Sequence, residues 1–453
     1  MVLSELKNRD FYRQTIHILI PVMLQQLITT GINFLDNIMV GSFGETQIAA
    51  ASLANQFYHV FTFVCMGLGS GAIVMSSQFW GSGEHHALKT VAAIALRFTV
   101  GISLVFLVIS VGWPAAVLRV YTSDPAVVAA GTAYLRLIGS TILFAGCSST
   151  ATYLLRSTGH VRVPLISSII AFFINLFFNW AFIFGVGPFP RLEIVGAAVG
   201  TVIARTFEFC FIFGYFCLKD PNFGFRLKHF FLSGKELIGK YIRFSLPVLI
   251  SDTILGVGLS LGSVVVGHIS AEFVAANSIV LTANQMLTIG NGAMAGASAV
   301  VIGNTIGEGD TERAYRQGVA YIIISISFGL LCSALIALLE NVYLGLYSVS
   351  PETLEIAKSC FLFVIIFSPM QTLSYVTSKG ILRGGGDTRF LAFFDSFLLW
   401  VVSLPLGALA GLVWHLSPFW IFFFLKLEYG SKGLICTARF FTKKWIRVIR
   451  AES

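Results

Sequence analysis

Residues 20–41 read IPVMLQQLITTGINFLDNIMVG, and residues 246–267 read LPVLISDTILGVGLSLGSVVVG. Both stretches open with an apolar residue, proline and valine, and both close on valine and glycine. Three pairs of positions share one shift in numbering (247 − 21 = 267 − 41 = 307 − 81): Pro21 and Pro247, Gly41 and Gly267, and the polar loops GSGE at 81–84 and GEGD at 307–310. One shift that holds over this length predicts an internal duplication of the chain.

The chain is apolar along its whole length. It has 453 residues, of which 56% are hydrophobic and 11% are charged, and its mean hydropathy is +0.82. This composition indicates a protein of the lipid bilayer, where about 20 apolar residues cross the ~30 Å hydrocarbon core as a helix. Breaks at glycine, proline and charged residues predict twelve spans, at 15–39, 52–79, 90–113, 128–152, 163–185, 195–217, 242–266, 272–302, 317–339, 356–378, 389–411 and 416–437.

Duplication and an even number of spans together predict the fold. Two copies of six spans begin on the same side of the membrane, because six is even. We therefore predict an all-α integral membrane protein with twelve transmembrane helices in two like-oriented six-helix bundles, related by a pseudo-twofold axis along the membrane normal. The predicted N-terminal lobe covers residues 1–217, a basic cytoplasmic linker covers 218–240, and the C-terminal lobe with its basic tail covers 241–453. Such a pair of bundles favours alternating access to a central cleft.

The formal net charge of +8 reflects an excess of Lys and Arg, and these residues are unevenly distributed over the loops. These residues gather at the N-terminus, near residue 160 and in the C-terminal tail, whereas the alternate loops are nearly bare of them. By the positive-inside rule, both termini of this multi-pass protein are predicted to be cytoplasmic. Dispersed basic residues of this kind suit membrane lipids as partners and argue against nucleic acid.

Several short motifs occur together in the order and spacing of one known family. The motifs are Pro21, Gln25-Gln26, Asp36, Met39-Val40-Gly41, Ala49-Ala50, YLR at 134–136, Asn175 with Asn179, LRGGGDTR at 382–389 and FFTKKW at 440–445. In these residues the chain resembles the multidrug and toxic compound extrusion (MATE) transporters, within the wider flippase and multidrug exporter superfamily. The resemblance extends over essentially the whole chain.

The resemblance implies a secondary active efflux transporter. Members of this family are twelve-helix antiporters that export amphipathic, mostly cationic organic compounds in exchange for Na⁺ or H⁺. We therefore expect small organic cations as substrates, no cofactor beyond the coupling ion, and no enzymatic activity. We also expect a monomer in a bacterial-type cytoplasmic (plasma) membrane.

A carboxylate inside the first span is the main candidate for a functional site. An ionised side chain near the middle of a bilayer costs at least ~2.5–3.5 kcal/mol, so that its presence points to function. Asp36 belongs to a polar stripe that includes Thr29 and Asn33 at helical spacing, and this stripe should face the bundle interior. At the shift that relates the two copies, Asp36 aligns with Gly262, so that the acid is specific to the first lobe.

We predict that Asp36, supported by Asn33 and Asn37, forms the coupling-ion site. In the resembling family the fifth span lies against the first, which would bring Asn175 and Asn179 to this carboxylate. A carboxylate among amides and hydroxyls can accept a proton or hold Na⁺ through oxygen ligands. The alternative is that Asp36 merely caps the first helix or anchors a neighbouring amide.

The second lobe offers a possible polar site at Asp252. One branch of the family builds a cation site there from acids on the seventh and tenth spans, but residues 360–386 contain neither Asp nor Glu. A complete sodium site in this lobe is therefore not expected. Asp252 either binds an ion or accepts hydrogen bonds in the interior. Another branch carries an aspartate at the position of Asn179, so that its network of two carboxylates is not expected either.

Five further polar residues are candidates for the substrate cleft: Gln25, Gln26, Arg205, Glu208 and Asp395. Arg205 and Glu208 lie three residues apart on the sixth span, and they either pair with each other or bind substrate. Asp395 either pairs with the preceding basic loop or lines the cleft. The sequence suggests no role for four other charged residues of the second half, Lys379, Lys426, Glu428 and Lys432.

Two other functions compete with efflux. A flippase for a lipid-linked oligosaccharide or another anionic lipid precursor would share the architecture, but it would need a basic cavity. An integral-membrane enzyme would need a metal-spaced cluster or a nucleophile with its base, and the eight histidines form no HExxH or HxxxH grouping. The seven cysteines are scattered without metal or disulfide spacing and read as apolar filling.

Overall fold

The computed structural model describes residues 4–41, 45–347 and 349–450. Over these ranges the chain is helical and contains no β-strand. Its sixteen α-helices are α1 Arg9–Gly41, α2 Glu45–Gly81, α3 His85–Gly112, α4 Pro114–Tyr121, α5 Pro125–Ser140, α6 Ile142–Ser157, α7 Arg162–Phe184, α8 Ile194–Leu218, α9 Lys235–Gly267, α10 Ala271–Gly307, α11 Thr311–Leu344, α12 Pro351–Tyr375, α13 Thr388–Phe397, α14 Leu404–Ala408, α15 Pro418–Leu425 and α16 Leu427–Phe441.

Shorter helical segments complete this order. The segments Ser4–Lys7 and Leu227–Phe231 are 3₁₀ turns. Three π-helical segments, Val376–Leu382, Leu398–Ser403 and Leu409–Val413, continue α12, α13 and α14. Wide π turns inside α-helices are frequent at functional sites, because they turn side chains away from the regular helical spacing.

The duplication predicted from the sequence reappears in the helix boundaries. Helices α1 and α9 each have 33 residues, and α2 and α10 each have 37. Helices α9 and α10 begin and end at one shift from α1 and α2, as Lys235 does from Arg9 (235 − 9) and Gly307 does from Gly81 (307 − 81). The same apolar pattern and the same terminal glycines therefore produce the same first two helices in both copies.

The apolar helices are long enough to cross a membrane. Ten helices of the described ranges qualify, and α5 with α6, bent by 45° at their junction, would make an eleventh span. The twelfth predicted span, at 416–437, falls on the short helices α15 and α16, which Lys426 separates. The all-α membrane fold expected from the sequence is thereby confirmed.

The described residues form two compact units. The first unit holds those of residues 24–76 and 84–249, and the second unit holds those of residues 4–23, 77–83 and 250–450. In the first unit α8 packs against α5, α6 and α7, and in the second unit α16 packs against α12 and α15. The lobe boundaries expected from the sequence stay a prediction.

Each unit has its own apolar core. The core of the first unit includes Ala54 and Leu135, and that of the second includes Phe273 and Phe361. Cys360 lies inside the second core, in keeping with its predicted role as apolar filling. Tight packing of this kind holds the polar side chains described below in fixed positions.

Candidate functional site

A polar stripe runs along the C-terminal half of α1. Thr29, Asn33 and Asp36 follow one another at steps of four and three residues, which places them on one face of the helix. All three line a cavity within the first unit. Asp36 itself is half-buried. The side chain of Asn37, the remaining predicted member on α1, lies outside the described residues.

Helix α7 supplies the amides that contact Asp36. Asn179 Nδ2 donates a hydrogen bond of 2.5 Å to Asp36 Oδ1 and another of 3.2 Å to Asn175 Oδ1. Asn175 Nδ2 in turn donates to Thr201 Oγ1 of α8 at 3.4 Å. Asn179 is fully buried. The structure therefore brings three of the predicted residues into one chain of hydrogen bonds that begins at the carboxylate.

Close packing of α8 on α7 keeps Asn179 in this position. A Cβ atom at Gly200 would lie 2.1 Å from Asn179 Oδ1 and 2.9 Å from the Asn179 backbone nitrogen. Glycine is therefore required at this point of α8, because any side chain would collide with the amide that contacts Asp36. Gly200 acts on the site without lining it.

An ion pair lies on the next turns of α8. Arg205 Nη1 donates to Glu208 Oε2 at 2.7 Å, which is the mutual pair considered from the sequence. Both residues also line the cavity, and Arg205 lies within electrostatic range of Asp36. The pair thus belongs to the candidate site, so that the two alternatives drawn from the sequence do not exclude each other.

The cavity has a volume of ≈ 260 Å³ and lies wholly within the first unit. Helices α1, α2, α5, α7 and α8 contribute to its wall. Its lining residues are mostly polar or aromatic: Thr29, Ile32, Asn33, Asp36, Ser52, Asn55, Gln56, Tyr58, His59, Thr62, Tyr134, Ile138, Ser168, Ala171, Asn175, Thr201, Ala204, Arg205 and Glu208. A small polar cavity around a carboxylate can hold an ion or the polar end of an organic molecule.

Sequence reasoning missed the contribution of α2. Ser52, Asn55, His59 and Thr62 lie three or four residues apart on α2, and all four line the cavity. This is the same periodic signal that identified the stripe on α1, so that a search of the second span for polar periodicity would have found it.

Two predicted cleft residues lie elsewhere. Neither Gln25 nor Gln26 is among the cavity-lining residues that the structure describes. Gln25 is buried, and its Oε1 accepts a hydrogen bond of 2.6 Å from Arg156. Gln25 thus joins α1 to α6 at a position that precedes the cavity-lining stripe on α1.

In the second unit, Asp252 is paired with two cations. It is fully buried, and Arg383 donates to both of its oxygens at 3.1 Å. Lys379 Nζ lies 3.4 Å from Asp252 Oδ1. This arrangement matches the alternative in which Asp252 accepts hydrogen bonds in the interior. Both partners come from residues 360–386, the segment that contains neither Asp nor Glu.

Asp395 has a different partner from the one considered in the sequence. One of the two alternatives drawn from the sequence pairs it with the basic loop before α13, but its Oδ1 lies 3.1 Å from Lys432 Nζ of α16. Ser251 Oγ of α9 donates to its other oxygen at 3.0 Å. Asp395 is outside the cavity of the first unit, and the interpretation as a cleft residue has no support there. The packing of α13 on α16 brings Lys432 to Asp395, and the sequence alone did not indicate this pair.

Comparison with known families decides the identity of this fold. The family model MatE matches the chain twice, over residues 21–181 and 247–409. The chain belongs to the MATE family of transporters. The starts of the two matches differ by the same shift (247 − 21) that relates the two copies in the sequence and in the helices.

Relatives of this MATE protein extend over nearly its whole length. It is 24% identical to the probable multidrug resistance protein NorM of Haemophilus ducreyi over 434 residues, which are 93% of this chain and 92% of the relative. It is 20% identical to the uncharacterized transporter YisQ of Bacillus subtilis, over 94% of this chain and 93% of the relative. The expectation of a multi-pass membrane transporter rather than an enzyme is confirmed by this family membership.

Solved structures share the fold. A crystal structure of MATE in complex with MaL6 superposes with a TM-score of 0.86 at 18% identity, covering 95% of this chain and 96% of the other. A MOP superfamily transporter from Pyrococcus furiosus matches with the same TM-score, identity and coverage. The twelve-helix MATE architecture is therefore the fold of this chain.

Proposed function

We propose that this MATE protein exports amphipathic organic cations across a bacterial cytoplasmic membrane in exchange for protons, with Asp36 as the proton-binding carboxylate. The observation that carries the proposal is the hydrogen bond from Asn179 to Asp36 inside a polar cavity. Relatives named as multidrug resistance proteins support the export of organic compounds.

The charges of the cavity support a cationic substrate. Two acids, Asp36 and Glu208, and one base, Arg205, line it, so that the formal charge is −1 with neutral His59. Tyr58 and Tyr134 add aromatic rings to the same wall, and such rings favour flat cations. A flippase for an anionic lipid precursor would need the opposite balance of charge, and we do not favour it.

The groups around Asp36 support a proton rather than Na⁺. Hard metal cations bind where several oxygen ligands converge. Here the nearest described partner of the carboxylate is an amide N–H, and a guanidinium group lies within electrostatic range. Both groups stabilise the ionised carboxylate in the interval between protonations, and the positive charge of the guanidinium opposes a bound metal ion.

The test is transport by the full chain in liposomes, with a fluorescent organic cation as the substrate. A pH gradient and a Na⁺ gradient are imposed separately on the wild type, on Asp36→Asn and on the control Asp124→Asn, which changes an exposed cap of α5. We expect flux under the pH gradient in the wild type and the control, and loss of that flux in Asp36→Asn.

Each contrary outcome has a clear meaning. Undiminished flux in Asp36→Asn would remove Asp36 from the coupling role. Flux under the Na⁺ gradient alone would mean that the coupling ion is Na⁺ and not the proton. Movement of a lipid-linked anionic oligosaccharide without movement of the dye would favour the flippase.

A further inference from the structure

The twelfth predicted span is broken at a charged residue. Helix α15 ends at Leu425, α16 begins at Leu427, and Lys426 between them has φ −112° and ψ 11°. Glu428 lies in the first turn of α16 and Lys432 lies one turn further, and they are 2% and 3% exposed. A break of this kind inside a span exposes backbone N–H groups and is a recurrent place for ion sites in transporters.

The two neighbouring aspartates already have their own cations. Asp252 is held by Arg383 and Lys379, and Asp395 is held by Lys432 and Ser251, as described above. These contacts account for three of the basic groups of this region. Asp252, Asp395 and Glu428 are all almost completely buried. Both aspartates have cationic partners.

Glu428 has no such partner. Among the residues that the structure describes, none donates a hydrogen bond to its carboxylate, and no cation comes within ion-pair distance of it. The charged groups that act on it from a longer distance are Lys432, Lys426, Asp395 and Lys379. Of the nearby phenol and thiol groups, Tyr429 interacts with Glu428 itself, whereas Tyr375 and Cys436 interact with Lys432. These groups come from α16, from the break before it, and from α12, α13 and the segment Val376–Leu382, against which α16 packs.

Both charge states of Glu428 are accessible in this setting. Burial without a hydrogen bond favours the neutral carboxylic acid. The N-terminus of α16 and the ammonium group of Lys432, four residues further along the same face, favour the carboxylate. A group on which these opposing influences act can bind and release a proton reversibly, which is the property that coupling requires.

We propose that Glu428 is a second proton-binding site, in the second unit, and that Lys432 is shared between Asp395 and Glu428 according to whether Glu428 carries its proton. With the proton bound, Lys432 pairs with Asp395, as observed. When the proton leaves, Lys432 turns toward the new carboxylate, which loosens α13 from α16. The inference rests on the proposed proton-coupled function and adds a site that is independent of Asp36.

Infrared difference spectroscopy of the purified full chain between high and low pH tests proton binding directly, because it detects the carbonyl stretch of a protonated carboxyl group. The samples are the wild type, Glu428→Gln, Glu428→Asp, Asp36→Asn and the exposed control Glu352→Gln. We expect a carboxylic acid band that Glu428→Gln lacks, that Glu428→Asp shifts, and that Asp36→Asn and Glu352→Gln retain. A band of unchanged size and position in both Glu428 variants would overturn the proposal.

Proton counting in liposomes tests the coupling. In Glu428→Gln, the number of protons moved per dye molecule should fall by about half, since one of two proton-binding sites is removed. An unchanged ratio would overturn the coupling role. The outcomes separate the two proposals, because failure of Asp36→Asn to affect flux contradicts the proposed function while leaving the Glu428 band as it is. If Glu428→Gln does not fold, the band shift in Glu428→Asp decides the result.

Discussion

Asn179 of α7 donates a hydrogen bond of 2.5 Å to Asp36 of α1, although the two residues lie 143 positions apart in the chain. Its second hydrogen bond, to Asn175 one turn earlier, fixes the orientation of the same amide. The carboxylate that the sequence singled out is thus oriented by a buried side chain whose rotation is restricted. The orientation of Asp36 therefore depends on the Asn179 amide.

Replacing Asn179 by Ala should separate coupling from substrate movement. The variant removes the donor to Asp36, and we expect gradient-driven flux to fall roughly 10–100-fold, as when a group that orients a functional ligand is lost. Dye counterflow without a gradient should stay near the wild-type rate. The control Asn341→Ala changes an exposed position on α11. Equal losses of both kinds of flux in Asn179→Ala would mean that the residue supports the fold alone.

A methyl group at position 200 should disturb the same amide from the other side. Because the added Cβ of Gly200→Ala would lie 2.1 Å from Asn179 Oδ1, we expect a loss of ~1–3 kcal/mol in the free energy of unfolding. The matched control is Gly214→Ala on the same helix, where nothing lies within 4 Å of the added Cβ. There we expect a gain of up to ~1 kcal/mol. Thermal unfolding in detergent measures both, and equal stability of the two variants would contradict the packing argument.

The buried ion pair of the second unit should behave differently from a surface pair. Asp252→Asn leaves Arg383 and Lys379 without their counter-charge, and we expect a loss of about 3–5 kcal/mol in the free energy of unfolding. The double variant Asp252→Asn/Arg383→Met should lose less than the single variant, because one of the uncompensated charges is removed as well. The exposed pair Arg191–Glu193 offers a control, with an expected effect of about 0–1 kcal/mol for Glu193→Gln. Additive losses in the double-mutant cycle would contradict this pairing.

Asp387 anchors the end of the chain, so that its loss should release the tail. Its two oxygens accept from Arg439 at 2.8 Å and from Arg447 at 2.6 Å, and it is fully buried. In Asp387→Asn we expect trypsin to cleave after Lys443 or Lys444 at least about tenfold faster, the factor that ~1.4 kcal/mol of lost anchoring produces. The control Glu312→Gln removes only the exposed partner of Lys443. Equal cleavage rates in both variants would show that Asp387 does not hold the tail.

The sequence predicted the helices better than it predicted their continuity. Hydropathy located spans at 128–152 and 416–437, but the structure bends the first between Ser140 and Ile142 and interrupts the second at Lys426. Hydropathy reports how apolar a segment is and carries no information on whether its backbone hydrogen bonds run without interruption. Such breaks depend on what the neighbouring helices can accept in place of a regular turn.

The sequence predicted part of the candidate site. The face that carries Asp36 follows from the helical period, and the family resemblance suggested Asn175 and Asn179 as its neighbours. The role of Gly200 was out of reach, because a glycine reveals its function only when the atom that a side chain would displace is known. The polar face of α2 has the same helical period in the sequence, but it was not predicted.

What the sequence by itself determined is the membrane environment, the duplication and the polar face of α1, because hydropathy, a constant shift between two copies and a helical period are all properties of order along the chain. Only the tertiary structure decided which charges meet. Asp252 with Arg383 and Asp395 with Lys432 come from helices that are separate in sequence, and Glu428 is left without a described partner. Ion pairing inside a membrane protein depends on distances of a few ångströms between packed helices, and only the folded arrangement determines those distances.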